Sequence, residues 1–233
     1  MEVCCGNIAS VRAAIEGGAD RVELCRDLEL DGLTPSREMI GEAVGLCHPA
    51  GLLVHVLIRS REGDFVYDDT EVKKMADEIG MAIAEGADGV VVGALTPGGD
   101  IDTAACRKWI DAVRQAVGDQ RRNVTFHRAF DVCDDPLEAI GQIAQLGCNR
   151  ILTSGQQATA EQGIPLLRQL VEKAREISAK SGHELGILCG AGVNTHNAST
   201  ILKATGATEI HGSLRTGLVS DAEKIRLVKE AIS

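Results

Sequence analysis

Short aliphatic runs alternate with longer amphipathic segments along the chain. Each run is brief and largely aliphatic, which is typical of strands that are covered on both faces of a sheet. Eight such runs predict eight strands, at residues 2–5, 21–25, 53–58, 89–92, 124–127, 150–153, 186–189 and 209–211. The pattern favours layered α/β structure over an all-β fold.

One helix-to-strand junction recurs four times, beginning at Gly18, Gly86, Gly147 and Gly206. In each copy the glycine is followed by Ala or Cys, then by Asp, Asn or Thr, and then by a largely apolar run. Glycine adopts the left-handed backbone that ends a helix, and the short polar residue leads into a strand. A repeated unit of this kind predicts regular alternation of strands and helices, and hence a parallel sheet.

An amphipathic helix is predicted after each strand. In the segment 72–85 the residues Val72, Met75, Ile79 and Ile83 fall on one side of a helix. The last helix is expected at about residues 222–232. The helix N-termini are expected at side chains that can accept backbone N–H groups: Asn7, Ser36, Thr70, Thr103, Asp135, Asn194 and Asp221.

Eight strand–helix units can close a barrel, whereas six with additions would form an open doubly wound sheet. A dinucleotide-binding sheet should carry G-x-G-x-x-G after its first strand, and residues 5–8 (Cys-Gly-Asn-Ile) do not provide it. The length of 233 residues also suits a closed barrel. We therefore expect an α/β fold, a single (β/α)8 TIM-type barrel domain over residues 1–233.

The charge balance narrows the classes of partner. The formal net charge is −10, and no dense run of Lys or Arg is present to bind a phosphate backbone or an anionic membrane. Aromatic residues make up only 2% of the chain, which disfavours base stacking. No apolar stretch approaches the length of a membrane span, and no signal peptide precedes the first strand. We therefore expect a cytoplasmic protein that binds neither nucleic acid nor membrane.

Eight cysteines in a chain without a secretion signal are expected to be reduced thiols. Two of them differ from the rest in their strand position. Cys4 shares a strand face with Glu2, and Cys25 shares one with Glu23, while the opposite face of both strands is apolar. The apolar face suits the helices, so these polar residues should point into the barrel. Thiols on adjacent strands could approach closely enough to share a soft metal ion.

Barrel enzymes place their reactive groups at the carboxyl ends of strands and in the loops that follow. The candidate catalytic residues at such positions are Glu23, His55, Arg59, His127, Arg128 and Asp131. We expect Glu23 and the histidines at 55, 127 and 211 to open toward the mouth of the barrel. A structural alternative stays open, because a lone buried histidine is more often hydrogen-bonded inside a core, and Arg128 and Asp131 could simply pair with each other.

Small residues follow the last two strands. Gly190, Gly192, Gly212 and Ser213 would let backbone N–H groups approach an anion, as loops at these positions do in many barrels that bind phosphate. A helix that starts near Asn194 would direct its dipole at the same place. The alternative is that these glycines only permit tight turns. No lysine ends a predicted strand, which argues against a Schiff-base mechanism.

Taken in order along the chain, these motifs make the sequence similar to the CutC family, which is named for copper homeostasis. The motifs are Glu-x-Cys at 2–4, Ala-Asp-Arg-Val-Glu-Leu-Cys at 19–25, Gly-Leu-Thr-Pro-Ser at 32–36, Ile-Arg at 58–59, Gly-Asp-Phe-x-Tyr at 63–67, Thr-Phe-His-Arg-Ala-Phe-Asp at 125–131, Leu-Thr-Ser-Gly at 152–155 and Glu-Ile-His at 209–211. The resemblance covers nearly the whole length. One departure is Ser60, where the family usually has proline.

The resemblance implies a TIM-type barrel, a cytoplasmic setting, homo-oligomers and copper as a bound ion. Within it, Cys4 and Cys25 are the expected Cu(I) ligands, and thiolates are soft donors that favour Cu(I). A copper carrier needs only a small thiol site, whereas this chain also has several histidines and arginines and candidate anion loops.

Two functions therefore stay open, because a family name does not identify a reaction. One is copper binding. The other is an enzyme that acts on a small polar or anionic substrate, such as a sugar derivative, through acid–base chemistry by Glu or His. In the enzyme, Arg59 and Arg128 would clamp negative groups through their forked donors.

Overall fold

The eight aliphatic runs form eight parallel strands that close into a barrel, as the sequence predicts. The computed structural model describes residues 1–117 and 122–233. The strands are β1 (Glu2–Cys5), β2 (Arg21–Leu24), β3 (Leu53–Leu57), β4 (Gly89–Val92), β5 (Asn123–Phe126), β6 (Arg150–Thr153), β7 (Gly186–Cys189) and β8 (Glu209–Gly212). They follow one another around the barrel in chain order, and β1 pairs with both β2 and β8 to close it. The expected (β/α)8 TIM-type fold is confirmed.

A helix follows each strand and packs on the outside of the barrel. The helices are α1 (Ile8–Glu16), α2 (Arg37–Cys47), α3 (Asp69–Ala84), α4 (Thr103–Val117), α5 (Pro136–Leu146), α6 (Ile164–Ser181), α7 (Ala198–Thr205) and α8 (Ala222–Ile232). A short hairpin of β9 (Arg215–Thr216) and β10 (Val219–Ser220) lies between β8 and α8. No helix in the described ranges is long and apolar enough to cross a membrane.

Four predicted helix N-termini are confirmed by their side chains. Asn7, Ser36, Asp135 and Asp221 each accept a backbone N–H from the first turn of their helix. These acceptors satisfy donors that the start of a helix leaves without a partner. Local sequence was sufficient to locate these helices.

Two other N-termini differ from the prediction. Helix α3 begins at Asp69 instead of after Thr70, because the carboxylate of Asp68 caps it as part of a reciprocal capping box. Helix α4 begins at Thr103 itself, and the carboxylate of Asp102 accepts the N–H groups of its first turn. In both cases a nearby aspartate provides the cap in place of a threonine hydroxyl.

Strand alternation sorts the side chains of β1 and β2 as expected. Val3 and Leu24 point outward and pack in the main hydrophobic core under the helices. Cys4 and Cys25 belong to a separate small cluster inside the barrel. The predicted inward face of the two strands is therefore confirmed.

Charged side chains fill the part of the barrel interior below the mouth, where aliphatic layers are common in such barrels. Arg21 donates to Glu2 at 2.5 Å and to Glu209 at 2.6 Å, and Arg150 donates to Glu209 at 2.8 Å. The side chain of Glu2 is fully buried, and that of Arg21 is nearly so. Buried charges are tolerated only when they are paired and hydrogen-bonded, so this interior ion network holds its members in fixed positions.

Candidate metal and ligand site at the barrel mouth

A cavity of about 500 Å³ opens at the carboxyl ends of the strands. Its lining comes from the strands themselves and from the loops after β2, β3, β5, β7 and β8. Glu23, His127 and His211 line it, as expected for side chains that open to the mouth. The cavity lies where barrels of this class carry their functional groups.

Three buried side chains, Cys4, Glu23 and His211, form a cluster at the base of this cavity, which we call the floor cluster. One ligand atom of each (the sulfur, a carboxylate oxygen and a ring nitrogen) lies within 4.8 Å of the other two. Strand register explains the arrangement, because Cys4 is the direct neighbour of Glu23, and β8 brings His211 beside Glu2. Cys25 follows β2, with its sulfur 3.8 Å from that of Cys4. The structure therefore brings together the two cysteines that the sequence indicated.

A carboxylate orients His211 from below. The Nδ1 atom of His211 lies 2.7 Å from Oε1 of Glu2, which leaves Nε2 for the floor cluster. Burial would lower the pKa of His211, but the neighbouring acidic groups, Glu23 first, raise it well above its ordinary value. Burial also opposes the charge of Glu2, but Arg21 and His211 hold the pKa of that carboxyl far below its ordinary value. The two groups form an imidazolium–carboxylate pair when no cation is bound.

Glu23 and Cys4 hold their protons more strongly than usual. Burial raises the pKa of Glu23 to about 7, although the charge of His211 opposes the shift. The Oε1 atom of Glu23 accepts from the Cys4 thiol at 3.7 Å, and Oε2 has no hydrogen-bond partner among the described residues. The hydrogen bond with Cys25, together with burial, raises the pKa of the Cys4 thiol well above its ordinary value. Near neutral pH the floor cluster thus holds protons that a metal cation would replace.

The donors at the base of the cavity fit a soft metal ion. Two Cu–S bonds of roughly 2.2 Å together span more than the 3.8 Å between the sulfurs of Cys4 and Cys25, so both can contact one ion. His211 adds an imidazole nitrogen, which copper also accepts. Cys4 lines the cavity, and Cys25 is fully buried behind it. The residues present therefore fit Cu(I), with access from the mouth through Cys4.

His127 lines the cavity directly after β5. Its Nδ1 accepts the backbone N–H of Ala129 at 3.1 Å, and its ring packs against Phe65 with 5.0 Å between centroids. Gly93 makes room for the ring, since a Cβ at that position would lie 2.5 Å from Nδ1. Burial, together with the charge of Arg59, lowers the pKa of His127 to about 3. The imidazole is therefore neutral at physiological pH.

The contacts of Arg59 do not fit the substrate clamp that the sequence suggested. Its terminal nitrogens donate to the carbonyls of Leu30 and Gly32 after β2 and of Gly63 after β3. The guanidinium also lies over the ring of Phe65, 5.1 Å from its centroid. Both terminal nitrogens are bonded to backbone, so Arg59 ties two loops of the mouth together, and its role as a substrate clamp stays a prediction.

Arg128 and Asp131 form the ion pair that the sequence left open as an alternative. Arg128 Nε donates to Asp131 at 2.7 Å. Asp131 also accepts from the hydroxyl of Thr153 at 2.5 Å and from the N–H of Ser154 at 3.0 Å. This carboxylate therefore joins the loops after β5 and β6, and its acceptor positions are in use. The Arg128 side chain is 47% exposed and lines the cavity, so it is the member of the pair that can meet a ligand.

The expectation that His55 opens to the mouth is wrong. The residue is fully buried below the cavity, with Nδ1 3.7 Å from a carboxylate oxygen of Glu2. A Cβ at Gly89 would lie 2.8 Å from the ring, so that glycine makes room for it. Burial lowers the pKa of His55 to about 4, although Glu2 opposes the shift. His55 pairs with Glu23 in the strand register. Because the strands of a barrel are tilted, residues that pair on neighbouring strands lie at different depths, so Glu23 lines the cavity while His55 lies below it.

The loops after β7 and β8 contribute residues to the lining of the cavity. Gly192, Gly212 and Ser213 line it, as do Ala191 and Val193. The N–H groups of residues 191, 192, 193 and 213 have no acceptor within the part of the chain that the structure describes. These amides have no protein acceptor among the described residues, and the anion site that the sequence predicts at these loops stays a prediction.

Two details of this region differ from the prediction. Gly190 is not among the residues that line the cavity, its N–H donates to the carbonyl of Thr153 at 3.0 Å, and a Cβ at this position would lie 2.6 Å from the Leu152 side chain. Helix α7 begins at Ala198 and not near Asn194, which lies in the turn before it. The donors at this side of the cavity are therefore loop amides and not the N-terminus of a helix.

Unusual backbone conformations are concentrated in the loops of the mouth. Within residues 1–117 and 122–233, five residues other than glycine have a positive φ angle: Asp27, Asp31, Gln156, Ala191 and Leu214. All of them follow β2, β6, β7 or β8, on the cavity side of the barrel. Such conformations are strained for most side chains, and they cluster at ligand-binding sites. The backbone thus marks the same end of the barrel as the polar side chains do.

Sequence reasoning expected His211 at the mouth but did not name Glu2 as its partner. A signal was present, because Glu209 precedes His211 by two residues, the same spacing as in the Glu-x-Cys segments of β1 and β2. Recognising the partnership required knowing that β1 pairs with β8, which places Glu2 next to His211.

Known proteins that are similar to the chain in sequence include several of one family. The CutC family profile matches residues 1–216. A CutC family protein of Pasteurella multocida is 46% identical over 211 residues, which cover 91% of this chain and 80% of that protein. One of Bacteroides thetaiotaomicron is 48% identical over 221 residues, covering 95% and 83%. The solved structure of a CutC protein of Streptococcus agalactiae, assigned to copper homeostasis, has a TM-score of 0.82 and 34% identity, covering 91% of this chain and 97% of that one.

Proposed function

The chain belongs to the CutC family, and from that premise we propose that it binds Cu(I) at the base of the barrel mouth. The observation that carries this function is the 3.8 Å separation of the Cys4 and Cys25 sulfurs beside His211. Thiolate and imidazole are donors that Cu(I) prefers, whereas carboxylates and carbonyls suit harder ions. Cys4 and Cys25 would hold the ion, with His211 as a third donor.

The surroundings of these ligands support the proposal. Glu2 fixes the ring of His211 through Nδ1, as carboxylates commonly do for metal-binding histidines. Binding would release the proton that the Cys4 thiol otherwise retains, so the affinity for copper should rise with pH. The open cavity gives an ion or its carrier a route to Cys4.

A competition titration of the reduced chain with Cu(I) and a colorimetric chelator, without oxygen, tests this function. Cys4→Ser and Cys25→Ser should each weaken binding at least about tenfold, because serine is a harder donor. Cys133→Ser is the matched control, because Cys133 is likewise a buried free cysteine but follows β5 and lies outside the floor cluster. Fluorescence of the buried Trp109 reports whether each variant is folded. Equal affinities in all four folded proteins would remove the copper site.

A second function is favoured by a different observation, the unpartnered oxygen of Glu23. This carboxyl has a pKa of about 7 and faces a cavity of about 500 Å³, which is the size of a small-molecule site and far larger than one ion needs. Such a group can both donate and accept a proton at neutral pH. The chain would then be an enzyme that acts on a small polar or anionic substrate, for example a sugar derivative, with Glu23 as acid–base and Arg128 against its negative group.

Proton NMR of incubated substrate panels tests this second function. The panels contain sugars, sugar phosphates and small hydroxy acids, each with the wild type, Glu23→Gln and Cys25→Ser. One class should be converted by the wild type and by Cys25→Ser, and Glu23→Gln should be slower by about a hundredfold or more. Conversion at the same rate by Glu23→Gln would assign the chemistry to other residues.

A further inference from the structure

The cavity is also lined by residues that the copper site does not use, His127 after β5 and residues 191–193 after β7, which together we call the donor wall. We propose that this donor wall binds the oxyanion group of a small organic molecule, with His127 as a neutral hydrogen-bond donor. The proposal names the substrate class of the second function, and its catalytic meaning rests on that function. Binding itself depends neither on copper nor on turnover.

The tautomer of His127 follows from its contacts. Nδ1 accepts the N–H of Ala129 at 3.1 Å, so Nδ1 cannot carry the proton of a neutral imidazole. The proton is then on Nε2, which is buried and has no partner in the described part of the chain. The same tautomer leaves Nε2 no lone pair with which to act as a base or to hold a metal ion. The remaining role for this nitrogen is to donate.

The ring of His127 is held so that the donor cannot turn away. Gly93 packs against the Nδ1 edge, and the rings of Phe65 and Phe126 lie 5.0 Å and 6.0 Å from its centroid. Only 4% of the residue is exposed. An unmet donor at this depth is unfavourable, and an acceptor on a ligand would satisfy it.

The loop after β7 adds backbone donors to the wall. Ala191 and Gly192 have φ angles of 79° and 69°, so two successive residues are left-handed. Their N–H groups, and that of Val193, have no acceptor in the ranges that the structure describes. Adjacent free amides in a turn form concave sites for anions. The lining of the cavity thus includes a side-chain donor and backbone donors that have no acceptor among the described residues.

The charges around the cavity oppose an anion less than those of the whole chain, which has a net charge of −10. The lining contains three arginines, Arg59, Arg128 and Arg215, against three carboxyl groups, Glu23, Asp31 and Asp131. Asp131 is paired with Arg128. The formal charges of these side chains therefore balance, whereas those of the whole chain do not. An oxyanion on the donor wall leaves the remaining volume, and Glu23, for the rest of the ligand.

The test measures binding of inorganic phosphate, and of acetate in a second arm, to the full-length copper-free chain by calorimetry near neutral pH. Chloride keeps the ionic strength constant. His127→Asn retains an acceptor near the position of Nδ1 and removes the distal donor, whereas His127→Gln places an amide N–H near the position of Nε2. Phosphate should bind the wild type, bind His127→Asn at least about tenfold more weakly, and bind His127→Gln within about threefold of the wild type.

The outcomes separate this proposal from the functions above. Absence of phosphate and acetate binding to the wild type, or equal affinities in the three proteins, overturns it and leaves the copper titration unaffected. If the variants do not fold, nitrogen-15 NMR of the wild type decides: a protonated Nε2 that shifts on addition of phosphate is expected, and a protonated Nδ1 overturns the proposal. Tighter binding of phosphate assigns a phosphate ester as the ligand, and tighter binding of acetate assigns a carboxylate.

Discussion

Replacing Glu23 by glutamine should stabilise the folded chain, and more so at alkaline than at acid pH. Glu23 is 5% exposed, and burial raises its pKa from 4.5 to about 7. In the unfolded chain the same group ionises in water at its ordinary value. The groups that act on it come from three strands: Cys4 and Glu2 on β1, Arg21 on β2 and His211 on β8. Glutamine keeps the shape of the side chain and removes the ionisation.

The sign of the effect follows from where the proton is bound. Between pH 4.5 and about 7 the folded chain keeps a proton on Glu23 that the unfolded chain has released. Stability contributed by this group is therefore present below the unfolded pKa and is lost as the pH rises through the folded pKa. When the loss is complete, the unfolding free energy is lower by about 3 kcal/mol, a large share of the roughly 5–15 kcal/mol that keeps a typical domain folded.

Urea unfolding followed by the fluorescence of Trp109, the single tryptophan, measures this effect. The gain in unfolding free energy of Glu23→Gln over the wild type should be about 2–3 kcal/mol larger at about pH 8 than at about pH 5. Glu209→Gln is a control of opposite sign. Burial opposes the charge of Glu209, but Arg150 and Arg21 lower the pKa of its carboxyl, so its removal should destabilise the chain near neutral pH.

The same difference between Glu23→Gln and the wild type at both pH values would refute the reasoning. A change in packing or in hydrogen bonding alone would not titrate between these two conditions. A gain in stability together with a loss of turnover would explain why the chain keeps a buried carboxyl without a cation bonded to it, since functional sites are often maintained at the expense of stability.

Two further substitutions test the packing of the interior and of the mouth. Gly89→Ala should lower the unfolding free energy by about 3 kcal/mol, because its Cβ would lie 2.7 Å from the carbonyl of Asn123 and 2.8 Å from His55. Gly45→Ala on α2 meets open space and should raise the unfolding free energy by about 0.5–1 kcal/mol. Urea unfolding that ranks the two variants in the opposite order would contradict this description of the packing. Arg59→Lys should lower the unfolding free energy by about 1–3 kcal/mol and speed proteolysis of the loops after β2 and β3, because one ammonium cannot replace the guanidinium that bonds both loops. Unchanged cleavage of those loops would show that Arg59 does not hold them.

The fold was predictable because it depends on patterns that are local in the sequence. Aliphatic runs and the repeated glycine junction identified every barrel strand, with ends that differ from the structure by at most one residue. Cys25, Ile58 and His127 were predicted as last strand residues and lie just past β2, β3 and β5. The error in the cap of α3, Thr70 instead of Asp68, also has a local cause, because both residue types can accept the N–H groups of a first helical turn.

The site was less predictable, because it depends on neighbours across the barrel and on which donors are already in use. Alternation along a strand was sufficient to direct Cys4 and Cys25 inward. It did not reveal that loop carbonyls bind the fork of Arg59, or that strand tilt buries His55 below the mouth. The tautomer of His127 depends on the backbone N–H of Ala129, two residues away, which is a contact that only the loop conformation reveals.

The hydrogen bond between Glu2 and His211 has a consequence for how the chain folds. It joins residues 209 positions apart, across the seam between β1 and β8. A partly folded chain without that seam has both thiols but no oriented imidazole beside them, so the complete donor set forms only when the ring of strands closes. Contacts of such long sequence separation form slowly. A ligand that needs the closed ring would bind late in folding and would then retard opening of the seam, protecting the amides of β1 and β8 from hydrogen exchange.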